Sequence, residues 1–136
     1  MASKSDFLED ALLNYAFRGS PTPFPGTPYI GLWTASLSDV STGSTAGEVS
    51  GAGYARQPLV RGTADWTVSS GGTIKNAGTI NFGTAGANWG TVTDFAVCDA
   101  LTVGNILYWG TLGTSKIISN GDSATWAGSA LVITEG

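Results

Sequence analysis

Hydrophobic and polar positions along the chain predict one helix followed by a long β-rich region. From Asp6 to Arg18, apolar residues recur at intervals of three and four, the period of an amphipathic helix. Ser3 or Ser5 can cap its start, and Gly19 followed by Pro21 can end it. The apolar stripe must pack against the body of the domain or against a neighbouring subunit. Its members are Phe7, Leu8, Ala11, Leu12, Tyr15 and Ala16.

After the helix, short strand-like segments alternate with Gly, Asn, Asp and Ser. This pattern predicts a mainly β fold, an antiparallel β-sandwich of the jelly-roll kind with one N-terminal α-helix. Asn120-Gly121 suits the type I′ turn of a hairpin, and Val103–Asn105 is a second predicted turn. The predicted strands are Tyr29–Thr34, Tyr54–Val60, Trp66–Val68, Thr73–Lys75, Thr79–Phe82, Val92–Cys98, Ile106–Leu112, Lys116–Ile118, Ala124–Trp126 and Leu131–Thr134.

The length of 136 residues suits one domain, with the helix and a stiff, proline-rich arm at about residues 1–28. Leu37–Gly53 is rich in Ser, Thr, Gly and Ala and has no periodicity, so we expect an exposed loop. Tyr29–Trp33 and Ile106–Trp109 carry large apolar residues on both faces of a strand. Their outer face must therefore be covered, either by the helix or by another subunit.

The amino-acid composition argues against several classes of function. Only 12% of residues are charged, the net charge is −4, and the six basic residues are scattered, which argues against nucleic-acid binding. No apolar run approaches a membrane span, and no signal peptide precedes the first polar residues, so we expect a soluble protein made in a cytoplasm. The single cysteine, Cys98, lies in an apolar run and is predicted to be a buried free thiol.

The residue types in the sequence give little support for a catalytic site. The absence of histidine removes the Ser–His–Asp and Cys–His pairs and every imidazole metal site. Asp99 and Asp122 stand in turn-like contexts, where aspartate usually bonds local backbone groups. We therefore expect no enzyme activity, no metal and no cofactor. The five tryptophans allow one binding hypothesis, a platform that stacks sugar rings, although core and interface packing is their commoner use.

The segment SGAGYARQPL, residues 50–59, invites a comparison with phosphate-binding loops. It lacks the third glycine of a dinucleotide loop and the lysine of a P-loop, and Pro58 opposes a following helix. The remaining interpretations are a strand behind a glycine hinge, with Tyr54 packed and Arg56 and Gln57 at a rim, or a subunit contact. Because residues two apart in a strand share a face, Tyr54 and Arg56 should point the same way.

Several segments together resemble a family of small bacteriophage virion proteins that are often labelled tail-fibre-like. The resemblance covers nearly the whole chain and is weakest over Gly62–Phe82. It is carried by SKSDFLEDALLNYAFRG (3–19), PYIGLWTA (28–35), EVSGAGYARQ (48–57), NWGTVTDFAVCDA (88–100), GNILYWGTL (104–112) and ISNGDSATWAGSALVITEG (118–136).

The resemblance implies a non-enzymatic, homo-oligomeric structural protein of the virion, produced in the cytoplasm of the bacterial host. Similar small jelly-roll proteins act as cement or decoration proteins, commonly as trimers. This implies a homotrimer on the capsid surface in contact with the major capsid protein. The alternative is a tail-fibre or adhesion module that binds a host surface glycan. The residues expected at a subunit or capsid interface are Phe7, Leu12, Tyr54, Arg56 and Trp109, and the cement hypothesis in particular places Tyr54 and Arg56 at a subunit boundary.

Overall fold

A computed structural model of the chain describes residues 2–135. One helix and nine strands follow each other along the sequence. They are β1 (Ser3–Lys4), α1 (Asp6–Arg18), β2 (Tyr29–Trp33), β3 (Gln57–Pro58), β4 (Thr73–Lys75), β5 (Ile80–Thr84), β6 (Gly90–Cys98), β7 (Ile106–Ile118), β8 (Ser123–Trp126) and β9 (Val132–Thr134).

The strands form one five-stranded sheet, in the order β1-β7-β6-β2-β3, and two two-stranded sheets, β4-β9 and β5-β8. All of these pairings are antiparallel. The predicted mainly β, antiparallel fold with one N-terminal helix is therefore confirmed. The sheets are layered as in a sandwich, but they do not close into a barrel or a complete jelly roll.

Helix α1 begins and ends where the sequence predicts. The Ser5 hydroxyl accepts a hydrogen bond from the Leu8 backbone N–H and so caps the first turn. Gly19 adopts the left-handed conformation at φ 72°, which a residue without a side chain tolerates, and its N–H donates to the Asn14 carbonyl. Both end signals act over a few residues, which is why the sequence alone locates them.

Both faces of the five-stranded sheet are covered. One face packs on the two small sheets through a core that includes Leu32, Phe95 and Leu107. The other face forms a second cluster of Trp33, Leu37, Ala96, Cys98 and Ile106.

The cover of this second face differs from both sequence-based expectations. It is the chain's own segment 37–53, whose residue Leu37 is buried in this second cluster, although much of the segment is exposed as expected. Two hydrogen bonds fasten it: the Leu37 N–H donates to Asp94 Oδ2 at 3.0 Å, and the Trp33 indole N–H donates to the Thr45 carbonyl at 3.0 Å. Neither α1 nor a second subunit is needed to bury this face.

Several predicted strands have different bounds. Tyr54–Val60 contains only the two-residue β3, because residues 54–56 run in irregular conformation. Trp66–Val68 is no strand, and only an isolated bridge joins Trp66 to Asn76. The two segments predicted between 106 and 118 form one continuous strand, β7.

The Asn120-Gly121 turn exists, but the hairpin prediction is wrong. Asp122 N–H donates to the Ser119 carbonyl, and of the two central residues only Gly121 has a positive φ, which is the type II pattern. β8 leaves this turn to pair with β5 in another sheet. The turn at Val103–Asn105 is confirmed and closes the β6–β7 hairpin.

Candidate functional site

Arg56 is the most extensively hydrogen-bonded side chain of the predicted site. Its exposed fraction is only 2%. All five guanidinium N–H groups donate within the chain: Nε and Nη2 to the Glu48 carboxylate, Nη2 also to the Gly43 carbonyl, and Nη1 to the Ala100 and Val103 carbonyls. The distances lie between 2.7 and 3.0 Å. The guanidinium carbon also lies 5.6 Å from the centre of the Trp33 ring, within range of a cation–π interaction.

Tyr54 lies beside this cluster and joins it to the main core. Its hydroxyl donates to Glu48 Oε1 at 3.0 Å and accepts from the Leu32 N–H at 2.9 Å, so it satisfies a β2 amide beyond the end of the β2–β3 ladder. Its ring stacks on Phe82 and meets Trp89 edge-on. Tyr54 therefore packs toward one side of the sheet while Arg56 packs toward Trp33 on the other.

The electrostatics of the cluster favour a charged arginine. Burial opposes the charge, but the hydrogen bonds and the negative charge of Glu48 outweigh it and raise the pKa of Arg56. Burial, the largest influence, also raises the pKa of Tyr54 far above its ordinary value. Nearby Cys98 is buried as predicted, and desolvation raises the pKa of its thiol to about 12 although the positive charge of Arg56 lowers it. Tyr54 and Cys98 are thus neutral across the physiological range.

Arg56 therefore connects two parts of the same chain through its hydrogen bonds. It ties the segment 37–53 to the β6–β7 turn, where Val103, a β-branched residue, is held at a φ of 56°. The expectation that Arg56 sits at a rim is wrong, because its partners, distant in sequence, enclose it. The expectation that it contacts a subunit stays a prediction, but no guanidinium donor is left for a partner.

Helix α1 carries several exposed large apolar side chains. Of its thirteen residues only Leu8 is buried, while Leu12 packs partly against the core. Phe7, predicted as an interface residue, is exposed, and so are two residues outside the predicted stripe: Leu13 at 58% and Phe17 at 83%. The signal that reveals this pair in the sequence is their spacing of four, which places them on one helix face.

The tryptophans give little support to a sugar-stacking platform. Trp33 and Trp89 are buried, and the other three are half-buried. Trp109, the fifth predicted interface residue, donates its indole N–H to Asp39 Oδ1 at 3.0 Å. The indole N–H of Trp89 donates to the Ala52 carbonyl. The Trp89 and Trp109 indoles are thus held by hydrogen bonds within the chain.

A groove of about 740 Å³ opens between the proline-rich arm, the segment 61–77 and the β9 end of the molecule. Its lining is mostly apolar and includes Phe24, Trp66, Val68, Ile74 and Leu107, and no α1 residue takes part. At one end, the Tyr108 hydroxyl donates to Glu135, whose carboxylate pairs with Lys4 Nζ at 2.7 Å. Arg61 lies on its lining as well.

Other polar groups serve local structure. The Asp99 carboxylate accepts from the Asn105 N–H and side-chain amide, and Asp122 accepts from the Ser119 N–H, as their turn contexts predict. Among residues 2–135, no three His, Cys, Asp or Glu side chains are grouped so that they could hold a metal ion. Over the same range, no helix has the length and apolar character to cross a membrane.

Comparison with protein families assigns the chain to a family. The family model described as "Podophage GP4 fiber I protein gp80" matches residues 3–134, which is nearly the whole chain. No curated protein matches it.

Proposed function

The chain belongs to the podophage GP4 fiber I protein gp80 family, a family of structural phage virion proteins, and from this we propose that it is a subunit of a virion fibre. The family description is the observation that carries the proposal. It favours the fibre over the capsid-cement location that the earlier resemblance put first. The role is structural, and the fold serves to hold copies together.

We further propose that the protein works as a homo-oligomer. Helix α1 supports this, because a soluble monomer seldom leaves Phe7, Leu13, Tyr15 and Phe17 uncovered on a single short helix. The low fraction of charged residues, 12%, points in the same direction. A trimer is the state that similar virion proteins suggest.

A capsid cement protein is the second candidate. The chain has no internal repeat and packs its strands around a contiguous main core, which suits a subunit that decorates a shell better than a long shaft. In this role its partner is the major capsid protein. A glycan partner belongs only to a fibre that also adheres, and the placement of the tryptophans gives that version no support.

Location and copy number separate the two candidates. Antibody labelling against the chain, followed by electron microscopy of whole particles, should mark the tail region if the protein is a fibre and the shell if it is cement. Quantitative gel or mass-spectrometric counting should give few copies per virion for a fibre. A copy number close to that of the major shell protein would reject the fibre and support cement.

A further inference from the structure

We propose that α1 of one copy binds in the apolar groove of a second copy through the helix face that carries Leu13 and Phe17. The inference rests on the proposed homo-oligomer and names its contact. The face is defined by spacing, since Asp6, Asp10, Leu13 and Phe17 follow one another at four, three and four residues and so lie on one side of the helix. All four are exposed.

The two surfaces have matching chemistry. The C-terminal half of the face presents Leu13 and Phe17, and an apolar groove is the usual receptor for such helix anchors. The N-terminal half carries the carboxylates of Asp6 and Asp10, and Arg61 stands on the groove lining. Arg61 takes part in neither ion pair found within residues 2–135. If Phe17 packs against Trp66 and Val68, the carboxylates on the helix and the guanidinium of Arg61 would be brought together beside the apolar contact.

The areas also suit an interface between copies. The exposed parts of Leu13 and Phe17 offer on the order of 300 Å² of apolar side chain, if a large apolar residue contributes about 200 Å². That is about a third of the ~800 Å² that each partner buries in a standard interface. The groove, which α1 of the same chain does not line, supplies the second surface.

A helix and a groove on different parts of the same chain make a head-to-tail contact. The helix of each copy then binds in the groove of the next copy, and the groove of each copy holds the helix of the previous one. If the rotation between neighbouring copies closes, they form a ring in which every groove is occupied. A closed trimer needs no other surface. This differs from a two-fold contact, in which α1 would pack on α1 and the groove would stay open.

Engineered cysteines test the contact directly, because the one native cysteine, Cys98, is buried. A Phe17→Cys protein is mixed with a Val68→Cys protein under mild oxidation, so that a heterodimeric disulfide can form only between chains. Val68 is 89% exposed and lines the groove. The matched control replaces Val68→Cys by Ile117→Cys, which is 74% exposed on β7 and does not line this groove. We expect the first mixture to form at least ~10 times more cross-linked heterodimer than the control.

Charge exchange gives a second readout. Asp10→Arg and Arg61→Asp should each weaken self-association about tenfold by placing like charges together, and the double variant should recover to within about threefold of the native protein. Leu13→Asp with Phe17→Asp should weaken it at least ~100-fold with unchanged circular dichroism, since both residues are exposed.

The outcomes separate this contact from the proposed function. An oligomer that survives the Leu13→Asp, Phe17→Asp variant, or that cross-links equally through Ile117→Cys, overturns the helix-in-groove contact and leaves the homo-oligomer standing. A native chain that stays monomeric in light scattering at every concentration overturns both.

Discussion

The guanidinium of Arg56 and the carboxylate of Glu48 form a bidentate ion pair, with Nε 2.7 Å from Oε1 and Nη2 2.8 Å from Oε2. The arginine side chain is almost fully enclosed, whereas the glutamate side chain is 23% exposed. Three backbone carbonyls complete the shell around the arginine. Burying such an ion pair carries a desolvation cost, but removing one partner is strongly destabilising because it leaves the other charge uncompensated.

Arg56→Ala should therefore destabilise the folded subunit, by about 3 kcal/mol or more, because it leaves the Glu48 charge without its cationic partner and three carbonyls without a donor. Chemical denaturation followed by tryptophan fluorescence measures the change. Lys116→Ala is the control, since Lys116 is exposed and lies outside the proposed contact, and it should stay within about 0.5 kcal/mol of the native protein. Unchanged stability combined with weakened assembly would instead make Arg56 an interface residue.

Tyr54→Phe should cost about 1–3 kcal/mol, because it removes one hydroxyl and leaves the Leu32 N–H without an acceptor. The ring contacts with Phe82 and Trp89 remain, so the fold should persist. Urea midpoints compare the variant with Tyr15→Phe, whose hydroxyl belongs to a half-exposed residue of α1. If the two variants are equally stable, the Tyr54 hydroxyl has no structural role.

Cys98 should make stability fall as pH rises above about 9. Desolvation raises the pKa of the folded thiol from 9.0 to about 12. Between these values the unfolded chain releases a proton that the folded chain keeps, so the unfolded state binds fewer protons and is favoured by rising pH. The slope attributable to this thiol is at most about 1.4 kcal/mol per pH unit.

The measurement for this thiol is the free energy of unfolding between pH 7 and 10.5, with Cys98→Ala as the control. Subtracting the control removes the tyrosine and lysine contributions, and the native protein should lose more stability than the control. In the same samples, a thiol reagent at pH 8 should label Cys98 only after unfolding, because the side chain has no exposed surface. Immediate stoichiometric labelling of the native protein would contradict the burial.

Gly53→Ala should destabilise the hinge ahead of Tyr54 by about 1–3 kcal/mol. Gly53 has a φ of 85°, and an added Cβ would lie 2.7 Å from the Thr84 carbonyl oxygen. Gly113→Ala is a matched control, because nothing lies within 4 Å of its Cβ position. Thermal unfolding should lower the transition temperature for the first variant and leave it nearly unchanged for the second.

The sequence predicts α1 to the residue because its cap and its glycine stop act locally. It fails at Arg56, whose carbonyl partners at Ala100 and Val103 lie 44 and 47 residues further along the chain. Spacing within SGAGYARQPL carries no information about those partners. The two-residue alternation rule also fails there, because Tyr54 and Arg56 belong to an irregular segment.

The sequence contains residues from which the segment that covers the second sheet face could have been predicted. Leu37 is an apolar residue in a segment otherwise rich in Ser, Thr and Gly, and Glu48 is one of two carboxylate residues there that can accept two arginine donors at once. The average composition of a segment does not reveal the importance of such single residues. Strand bounds in the segment 54–76 were predicted poorly because short strands depend on partners that the sequence does not identify.

The five-stranded sheet ends in a two-residue strand on each side, β1 with Lys4 and β3 with Pro58. Proline cannot donate to a further strand, and a strand of two residues offers almost no ladder to extend. Neither edge of this sheet therefore offers a ladder on which a strand from another copy could extend it. If copies associate as proposed, their contact depends on side chains and not on a shared sheet.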